Sequence, residues 1–353
     1  MIQGIPPELE RILEAGNNAP SGENCQPWHF ILRGNTIEVH LLPERDQSAY
    51  SWGQRASYLA NGAAIENIVI AASAEGYRAD VDYFPTVSDM LHVATISLVK
   101  DVAVQKDPLA AHVGTRISNR KSYAKQSLTD DERTALLSVG SVALVESPEE
   151  IATIGRVGST NEEVMLANRS LHQFFFSHVN WTEEEDEKKK IGFYIKTLEL
   201  PSPAEVMFKV FRQWSVMRIF SAIGFNRIVA KQNAATNASA AAMGAFVIPN
   251  IEPLEFMKIG RKVERLWLTA TALGLSFQPL TGVLFFKLKI AGGEEEVFSN
   301  REKDLIVHAY EKASEIFKAG DGHVAFMFRV GRGDAPSAHA VRFPLEDVVT
   351  MIS

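Results

Sequence analysis

A polar loop with the sequence APSGENCQPW, residues 19–28, is the stretch of this chain best suited to hold a small ligand. Pro20 fixes one backbone angle, and Gly22 permits conformations that a side chain would forbid. Ser21 and Asn24 supply compact hydrogen-bonding groups. A loop of this kind between two apolar elements can hold a flat polar ligand. The local chemistry is equally compatible with a structural helix-to-strand turn.

A second segment places two arginines and a serine at alternate positions, as Arg116-x-Ser118-x-Arg120. In an extended chain this alternation puts all three side chains on one face. Two guanidinium groups and a hydroxyl on one face suit an anionic ligand. Arginines at this spacing are also common on protein surfaces, so the segment gains weight only in combination with the loop.

The loop resembles the APSxxNxQPWxF signature of the FMN-dependent nitroreductase family. The resemblance extends to the 116–120 segment, which is similar to the one that holds the phosphate and ribityl chain there. It extends also to residues 274–282, GLSFQPLTG, which resemble the family's GLxxxPxxG loop beside the flavin ring. The late arginine Arg342 resembles the one that meets the phosphate, and Arg329 and Arg332 are weaker candidates. The cofactor contacts that the resemblance implies are Pro20, Ser21, Asn24, Arg116, Ser118, Arg120, Pro279, Leu280, Thr281, Gly282 and Arg342.

The order of these segments is similar to that of the two-repeat, Acg-type branch of the family. Ordinary members carry the arginine segment before the loop, whereas here it follows the loop. Two stretches also share one pattern: Gly62 and Gly260 are each followed by a glutamate at the fourth position and a glycine at the fourteenth. This pattern indicates duplication, although a packed core helix would also explain it.

We therefore expect two fused halves, residues 1–106 and 107–353, with a possible lid insertion at about 180–235. The first half carries the APSGENCQPW loop, and the second carries the other two segments. The halves would form an intrachain pseudo-dimer that shares one FMN, without need of a higher oligomer.

Composition excludes several classes of function. The chain has 353 residues and a formal net charge of −7, which argues against general nucleic-acid binding. Its single cysteine, Cys25, permits no intrachain disulfide, and we interpret it as a packing residue in a reducing compartment. No basic-then-apolar leader begins the sequence, and no apolar run reaches the roughly 20 residues of a membrane span. We expect a cytoplasmic protein without a membrane partner.

The sequence offers no motif for metal or acid–base chemistry. The nine histidines form neither HxxxH nor HExxH, and neither GxGxxG nor a GxSxG elbow occurs. We therefore expect no metal site. No side chain is predicted to be catalytic, since the flavin would be the redox centre.

Hydrophobic periodicity, capping pairs and turn residues predict the elements that would position these segments. Helices are predicted over 7–17, 53–75, 206–231 and 301–318, and strands over 28–33, 36–42, 92–99, 142–145, 244–248, 284–290 and 323–330. Capping patterns predict helix starts at Thr129, Ser147, Thr160 and Thr182. The stretch 206–231 is basic and amphipathic, which can indicate a membrane surface but more often a helix packed on its own domain.

These observations predict an α+β, nitroreductase-like fold whose two related halves each have a mixed or antiparallel sheet flanked by helices. The predicted function is an FMN-dependent oxidoreductase that passes hydride from NADH or NADPH, through the flavin, to a small organic acceptor. One alternative is a protein that stores FMN beneath a lid with little turnover. Another is a flavin-dependent tailoring domain of a peptide-modifying system.

Overall fold

The fold is α+β, as predicted, in a computed structural model that describes residues 4–48, 50–86 and 88–352. The start of the chain considered above for a leader, Met1–Gln3, lies outside these residues. The helices are α1 (Pro7–Asn17), α2 (Arg55–Ala74), α3 (Asp130–Leu137), α4 (Pro148–Ala167), α5 (Arg169–Ser177), α6 (Glu183–Lys189), α7 (Ser202–Phe211), α8 (Trp214–Ala222), α9 (Phe225–Asn237), α10 (Pro253–Ala272), α11 (Gly282–Ala291), α12 (Asn300–Ile316) and α13 (Leu345–Val348). The strands are β1 (Trp28–Arg33), β2 (Thr36–Leu41), β3 (Tyr77–Tyr83), β4 (His92–Lys100), β5 (Val142–Val145), β6 (Val179–Asn180), β7 (Phe193–Tyr194), β8 (Ala242–Ile248), β9 (Ser276–Pro279), β10 (His323–Gly331) and β11 (Val349–Met351).

The first sheet has five strands in the order β11-β1-β2-β4-β3. Strands β1 and β2 form the predicted hairpin, and β1 alternates buried and half-buried side chains. That alternation gives the sheet one face toward the core and one face away from it. The sheet is mixed because β11, from the end of the chain, runs parallel to β1 with Phe30 opposite Val349.

The second sheet has four antiparallel strands in the order β5-β8-β10-β9. Strands β8 and β10 are buried along nearly their whole length, which explains their continuous apolar sequences. A third, two-stranded sheet joins β6 and β7. The third sheet lies in the stretch predicted as an insertion, close to the polar loop: the amide of Gly192 donates to the carbonyl of Glu23 at 2.7 Å.

Helices α2 and α10 cross at their glycines. A Cβ on Gly62 would lie 2.1 Å from the carbonyl oxygen of Met257, and a Cβ on Gly260 would lie 2.0 Å from that of Leu59. Both distances are far below van der Waals contact, so only glycine permits this approach. The sequence pattern around the two glycines thus corresponds to a close helix crossing at the centre of the protein.

Three of the four predicted helix starts are correct. The hydroxyls of Thr129, Ser147 and Thr182 each accept a hydrogen bond from the backbone amide three residues later, at the starts of α3, α4 and α6. The fourth is wrong, because Thr160 lies inside α4 and its hydroxyl donates back to the carbonyl of Arg156 at 3.3 Å. A Thr-x-x-Glu pattern inside a helix has the same spacing as a cap.

Two other predicted elements differ in the structure. Residues 284–290, expected as a strand, lie in helix α11 instead. The run LFFKLKI alternates two lysines with apolar residues at its end, as a strand would, and so short a run does not distinguish a strand from a buried helix. The stretch 206–231, expected as one amphipathic helix, spans three helices instead. The chain breaks between α7 and α8 at Arg212–Gln213, and again at Gly224, whose φ is +88°.

Among the described residues, no helix combines the length and apolar character needed to cross a bilayer.

Candidate functional site

A cavity of about 1330 Å³ lies where the predicted segments converge. All eleven residues predicted to contact the cofactor line it, although they come from four separate parts of the sequence. Typical small-molecule sites have volumes of roughly 300–1,000 Å³. The cavity therefore has room for a large cofactor and part of a second molecule.

The polar loop bends sharply and is held by its own amide side chains. Glu23, Asn24 and Gln26 all have positive φ, of 52°, 54° and 50°. The Asn24 amide nitrogen donates to the carbonyls of Lys190 at 2.8 Å and Val341 at 2.7 Å. The Gln26 amide donates to the same Lys190 carbonyl at 2.8 Å. The amide donors of the Asn24 and Gln26 side chains thus form hydrogen bonds that stabilise the shape of the loop.

The segment from Arg116 to Arg120 runs beside β9. Ser118 pairs with Phe277 in a parallel bridge, and the Asn119 amide donates to the Phe277 carbonyl at 2.9 Å. Arg116, Ser118 and Arg120 line the cavity, as does Ile117, while Asn119 is buried away from it. All three predicted side chains therefore reach the cavity, although the segment does not alternate strictly.

Two guanidinium groups, on Arg116 and Arg342, line the cavity, and each interacts electrostatically with the carboxylate of Glu264. Arg116 pairs with Glu264 at 2.9 Å from Nε to Oε1, and both side chains are almost fully buried. This contact is an ion pair without a directed hydrogen bond, because the N–H does not point at the carboxylate oxygen. Burial, followed by the neighbouring charge of Arg116, lowers the pKa of Arg342 to about 9. Burial also raises the pKa of Glu264, which the charge of Arg116 opposes.

Both arginines also hold the polar loop. Arg116 donates from Nη2 to the carbonyl of Asn18 at 2.7 Å, and its guanidinium lies 4.6 Å from the ring centre of Trp267. Arg342 donates to the Asn24 side-chain oxygen and, at 3.1 Å, to the carbonyl of Ala19. Its Nε is buried without a hydrogen-bond partner among the described residues. The cluster therefore has an excess of positive charge and an unused donor.

The loop after β9 closes the cavity on another side. Residues 279–282 all line it, and the Leu280 amide donates to the Met327 carbonyl at 2.8 Å. This bond fixes the loop to strand β10. Arg329 and Arg332, the weaker arginine candidates, lie outside the cavity lining. Arg329 is fully buried and donates to the Gln278 side chain at 2.7 Å, and Arg332 pairs with Glu132.

The sequence did not point to four carboxyl groups that also line the cavity, on Glu23, Asp46, Glu162 and Glu199. Burial, and then the charge of Asp46, raises the pKa of Glu23 to about 8. Burial likewise raises the pKa of Glu162. Asp46 accepts from the hydroxyl of Ser57 at 2.5 Å, whereas the Glu23 carboxyl has no hydrogen-bond or ion-pair partner among the described residues. Glu23 lies at a variable position of the loop signature, so no sequence signal distinguishes it.

Helices α7 to α9 form a further wall of the cavity, with Met207, Phe208 and Phe211 among its lining residues. Phe208 packs in an aromatic cluster, 4.7 Å from Phe176 between ring centres. The imidazole of His172 hydrogen-bonds the Phe211 carbonyl at 2.8 Å and ties the end of α7 to α5. These helices fall within the stretch expected as a lid.

Comparison with known proteins shows similarity along most of the chain. It is 22% identical over 353 residues to "Uncharacterized protein MT1398" of Mycobacterium tuberculosis (strain CDC 1551 / Oshkosh), covering 96% of this chain and 48% of that protein. It is 23% identical over 328 residues to "Putative NAD(P)H nitroreductase Rv3131" of M. tuberculosis (strain ATCC 25618 / H37Rv), covering 92% of this chain and 84% of the relative. The chain thus spans about half the length of the first relative and most of the second.

A third relative matches a shorter part of the chain at higher sequence identity. Over 88 residues the chain is 36% identical to "Putative NAD(P)H nitroreductase acg" of M. tuberculosis H37Rv, covering 25% of this chain and 27% of the relative. Among solved structures, it matches "the FMN-dependent nitroreductase NfnB from Mycobacterium smegmatis in complex with NADPH" with a TM-score of 0.38 and 12% identity, covering 69% of this chain and 98% of that one.

No family model matches the chain. The relatives named as putative NAD(P)H nitroreductases nevertheless support the resemblance inferred from the motifs, and the sequence is similar to nitroreductase-named proteins.

Proposed function

We propose that this protein is an FMN-dependent oxidoreductase that passes hydride from NADH or NADPH to a small organic acceptor. The observation that carries the proposal is the presence at the cavity of two guanidinium groups, on Arg116 and Arg342, beside one carboxylate, Glu264, which pairs with Arg116. A dianionic phosphate would balance their excess charge. It would also engage the unused Nε donor of Arg342.

The residues around the cavity fit the remainder of FMN. Ser118 and Ser21 offer hydroxyls of the kind that a ribityl chain engages, and residues 279–282 offer a loop whose backbone is fixed to β10. Arg120 lines the same wall and donates one hydrogen bond to the Thr197 carbonyl at 2.9 Å, which leaves other guanidinium donors for a ligand. When bound, FMN supplies the hydride-transfer chemistry.

In that reaction the protein itself would bind the cofactor, orient it and shield it from water. The rigid loop at residues 19–28 and the loop at 279–282 fix two sides of the cavity, and the aromatic wall of α7 limits the entry of water. The Glu23 carboxyl, with its pKa near 8, is mostly protonated at neutral pH and can donate a hydrogen bond to a polar group in the cavity. The volume left beside a cofactor suits a small acceptor or a nicotinamide ring.

A second candidate function is storage of FMN with little turnover. It is favoured by the wall that α7 to α9 contribute, which includes Phe208 in its aromatic cluster and Phe211 bound to α5. A wall that stays closed would protect a bound flavin from nicotinamide and oxygen. The tailoring-domain alternative has no comparable structural support.

We further propose that the two halves act as an intrachain pseudo-dimer around one FMN. The small-molecule acceptor would be the only partner required, with neither nucleic acid nor membrane involved.

Stopped-flow reduction of the FMN-loaded protein, without oxygen, tests the function. An enzyme should lose its oxidised-flavin absorbance rapidly with NADH or NADPH, at a rate that saturates with the nicotinamide. Dithionite serves as the control, since it should reduce the flavin in either case. Persistence of the oxidised spectrum with both nicotinamides would favour storage, and failure to bind FMN at all would refute both.

A further inference from the structure

A cluster of two histidines and a glutamate lies on the outer face of the first sheet, apart from the cavity. One possible ligand atom from each of Glu38, His40 and His92 lies within 4.8 Å of the other two. None of the three residues lines the large cavity. Glu38 and His40 lie on one strand, and strand pairing brings the distant His92 beside them.

Sheet register explains the cluster. His40 on β2 lies directly opposite His92 on β4, next to an irregularity in the pairing at Val39 and His40. Glu38 is two residues from His40, so both side chains leave β2 on the same face. That face points away from the core, because the intervening Val39 is fully buried while Glu38 and His40 are half-buried.

The three side chains are already held near one another. The His40 and His92 rings stack with centres 4.6 Å apart, and the His40 Nε2 lies 3.3 Å from the Glu38 Oε2. The other oxygen of Glu38 accepts from Arg33 Nε at 2.7 Å, and His92 Nε2 hydrogen-bonds the Thr95 hydroxyl at 2.9 Å. Outer contacts of this type orient the ligands in metal sites.

We propose that Glu38, His40 and His92 form a binding site for a divalent transition metal of the zinc type. Two imidazoles and a carboxylate are a ligand set that Zn²⁺ takes, with bonds of about 2.0–2.2 Å and a fourth position left to water. Such bonds require ligand atoms about 3.4 Å apart in a tetrahedral site, a spacing that small side-chain rotations within the cluster would reach. Mg²⁺ and Ca²⁺ prefer oxygen ligands and fit this set poorly.

The exposure of the cluster also suits a metal. The side chains of Glu38 and His40 are 19% and 22% exposed, which gives an ion access from solvent. This inference replaces the sequence-based expectation of no metal site, and it is independent of the proposed flavin chemistry.

Calorimetric titration of the chelator-treated protein with Zn²⁺ tests the site, with Mg²⁺ as the comparison ion. We expect one Zn²⁺ per chain and no measurable binding of Mg²⁺. Loss of an outer contact in a metal site typically costs about 10- to 100-fold in affinity. Removal of a direct ligand in His40→Ala, His92→Ala or Glu38→Gln should therefore cost at least about 100-fold. The matched control is His308→Ala, which removes an exposed histidine on α12 and should leave binding unchanged.

Two readouts of the wild-type protein do not depend on variants that fold. Added Co²⁺ should give visible absorption bands, and X-ray absorption at the zinc edge should show imidazole nitrogen ligands. Zn²⁺ should also raise the unfolding midpoint of the wild-type protein. Absence of Zn²⁺ binding, affinity that survives all three ligand substitutions, or equal loss in His308→Ala would overturn the proposal.

Discussion

Gly62 and Gly260 pack directly against each other, and each makes the same contacts with the opposite helix. A Cβ on either glycine would lie 3.0 Å from the Cα of the other, and the carbonyl that it would strike belongs in both cases to the residue three positions earlier in the opposite helix. Reciprocal contact of this kind is the geometry of an isologous, two-fold interface. It supports our proposal that two related halves, fused in one chain, meet along α2 and α10.

The first prediction concerns this crossing. Gly62→Ala should destabilise the protein by about 3 kcal/mol, at the upper end of the cost of overpacking, because a backbone carbonyl lies 2.1 Å from the new Cβ. Urea unfolding would measure the change. The matched control is Gly158→Ala in helix α4, where the new Cβ would find its nearest neighbour at 3.4 Å. This variant should be neutral or slightly more stable, since alanine favours a helix. Equal stability of Gly62→Ala and the wild type would contradict the close crossing.

The second prediction concerns the buried pair of Arg116 and Glu264. Arg116→Met should destabilise the protein by about 3–5 kcal/mol, because it leaves a buried carboxylate without its counter-charge. The double variant Arg116→Met with Glu264→Leu should recover much of that loss, because it removes both charges together. Unfolding free energies of the single and double variants give the coupling. If the stability loss of the double variant equalled the sum of the losses of the two single variants, the residues would not act as a buried ion pair.

Local patterns predicted much of the fold. The hairpin of β1 and β2, helix α1 and the capped starts of α3, α4 and α6 depend on residues close in sequence, so periodicity and capping pairs sufficed. The strands β3 and β11 were not predicted, and both lie at edges of the first sheet. The sequence of β3, YRADVDY, does alternate apolar and polar residues, so its signal was present but not used. Strand β11 has only three residues, too few for a periodic signal. The run that became α11 places Lys287 and Lys289 at alternate positions among apolar residues, so its short pattern did not distinguish a helix from a strand.

The residues of the cavity also fall into a part that the sequence predicted and a part that it did not. Its loop segments were predictable through their resemblance to a family, and the structure brings all eleven named residues to one cavity. The acidic wall with Glu23 and the cluster of Glu38, His40 and His92 were not predictable. Both arise from burial and strand register across distant parts of the chain, which no short motif encodes.

The third prediction is a pH dependence that originates at Glu23. Its pKa in the folded protein, about 8, exceeds the value of about 4.5 expected when it is unfolded. The folded state therefore binds more protons, so Glu23 lowers stability as the pH rises from about 5 to about 8. Over that range the loss should be on the order of 3–4 kcal/mol, at 1.36 kcal/mol per pKa unit.

Urea unfolding of the FMN-free protein at several pH values would measure this effect. Glu23→Gln should remove the decline, so its advantage over the wild type should grow with pH. Glu44→Gln, at an exposed carboxyl of the same half, is the matched control and should follow the wild type. A constant difference between Glu23→Gln and the wild type across the pH range would show that Glu23 ionises normally.

The fourth prediction assigns the phosphate to Arg342. Hydrogen bonds to charged groups contribute about 1.5–3 kcal/mol, so Arg342→Ala should weaken FMN roughly 10- to 150-fold more than it weakens riboflavin, which lacks the phosphate. The ratio of the two affinities is the proper readout, because Arg342 also holds the loop through Asn24 and Ala19. Fluorescence quenching gives both constants. Arg301→Ala, at an exposed arginine, should leave the ratio unchanged; an unchanged ratio in Arg342→Ala would place the phosphate elsewhere.

The last prediction is one FMN per chain, bound without a second copy of the protein. A two-fold-related second site would need its own loop and phosphate arginines. Arg11, the only basic residue before the polar loop, instead pairs with Glu75 at the surface, at 2.6 Å. Loss of two charge-assisted contacts would cost about 3–6 kcal/mol, which turns a micromolar site into one of about millimolar affinity or weaker.

Fusion of the halves should also make the site independent of dilution, because the contact between α2 and α10 lies within one chain. Flavin released by denaturation, measured against peptide absorbance, gives the ratio of FMN to protein. Sedimentation across a range of dilutions gives the assembly state, and a monomer that keeps its FMN is the expected result. Two flavins per chain, or flavin lost in step with the dissociation of a dimer, would refute a single site completed within one chain.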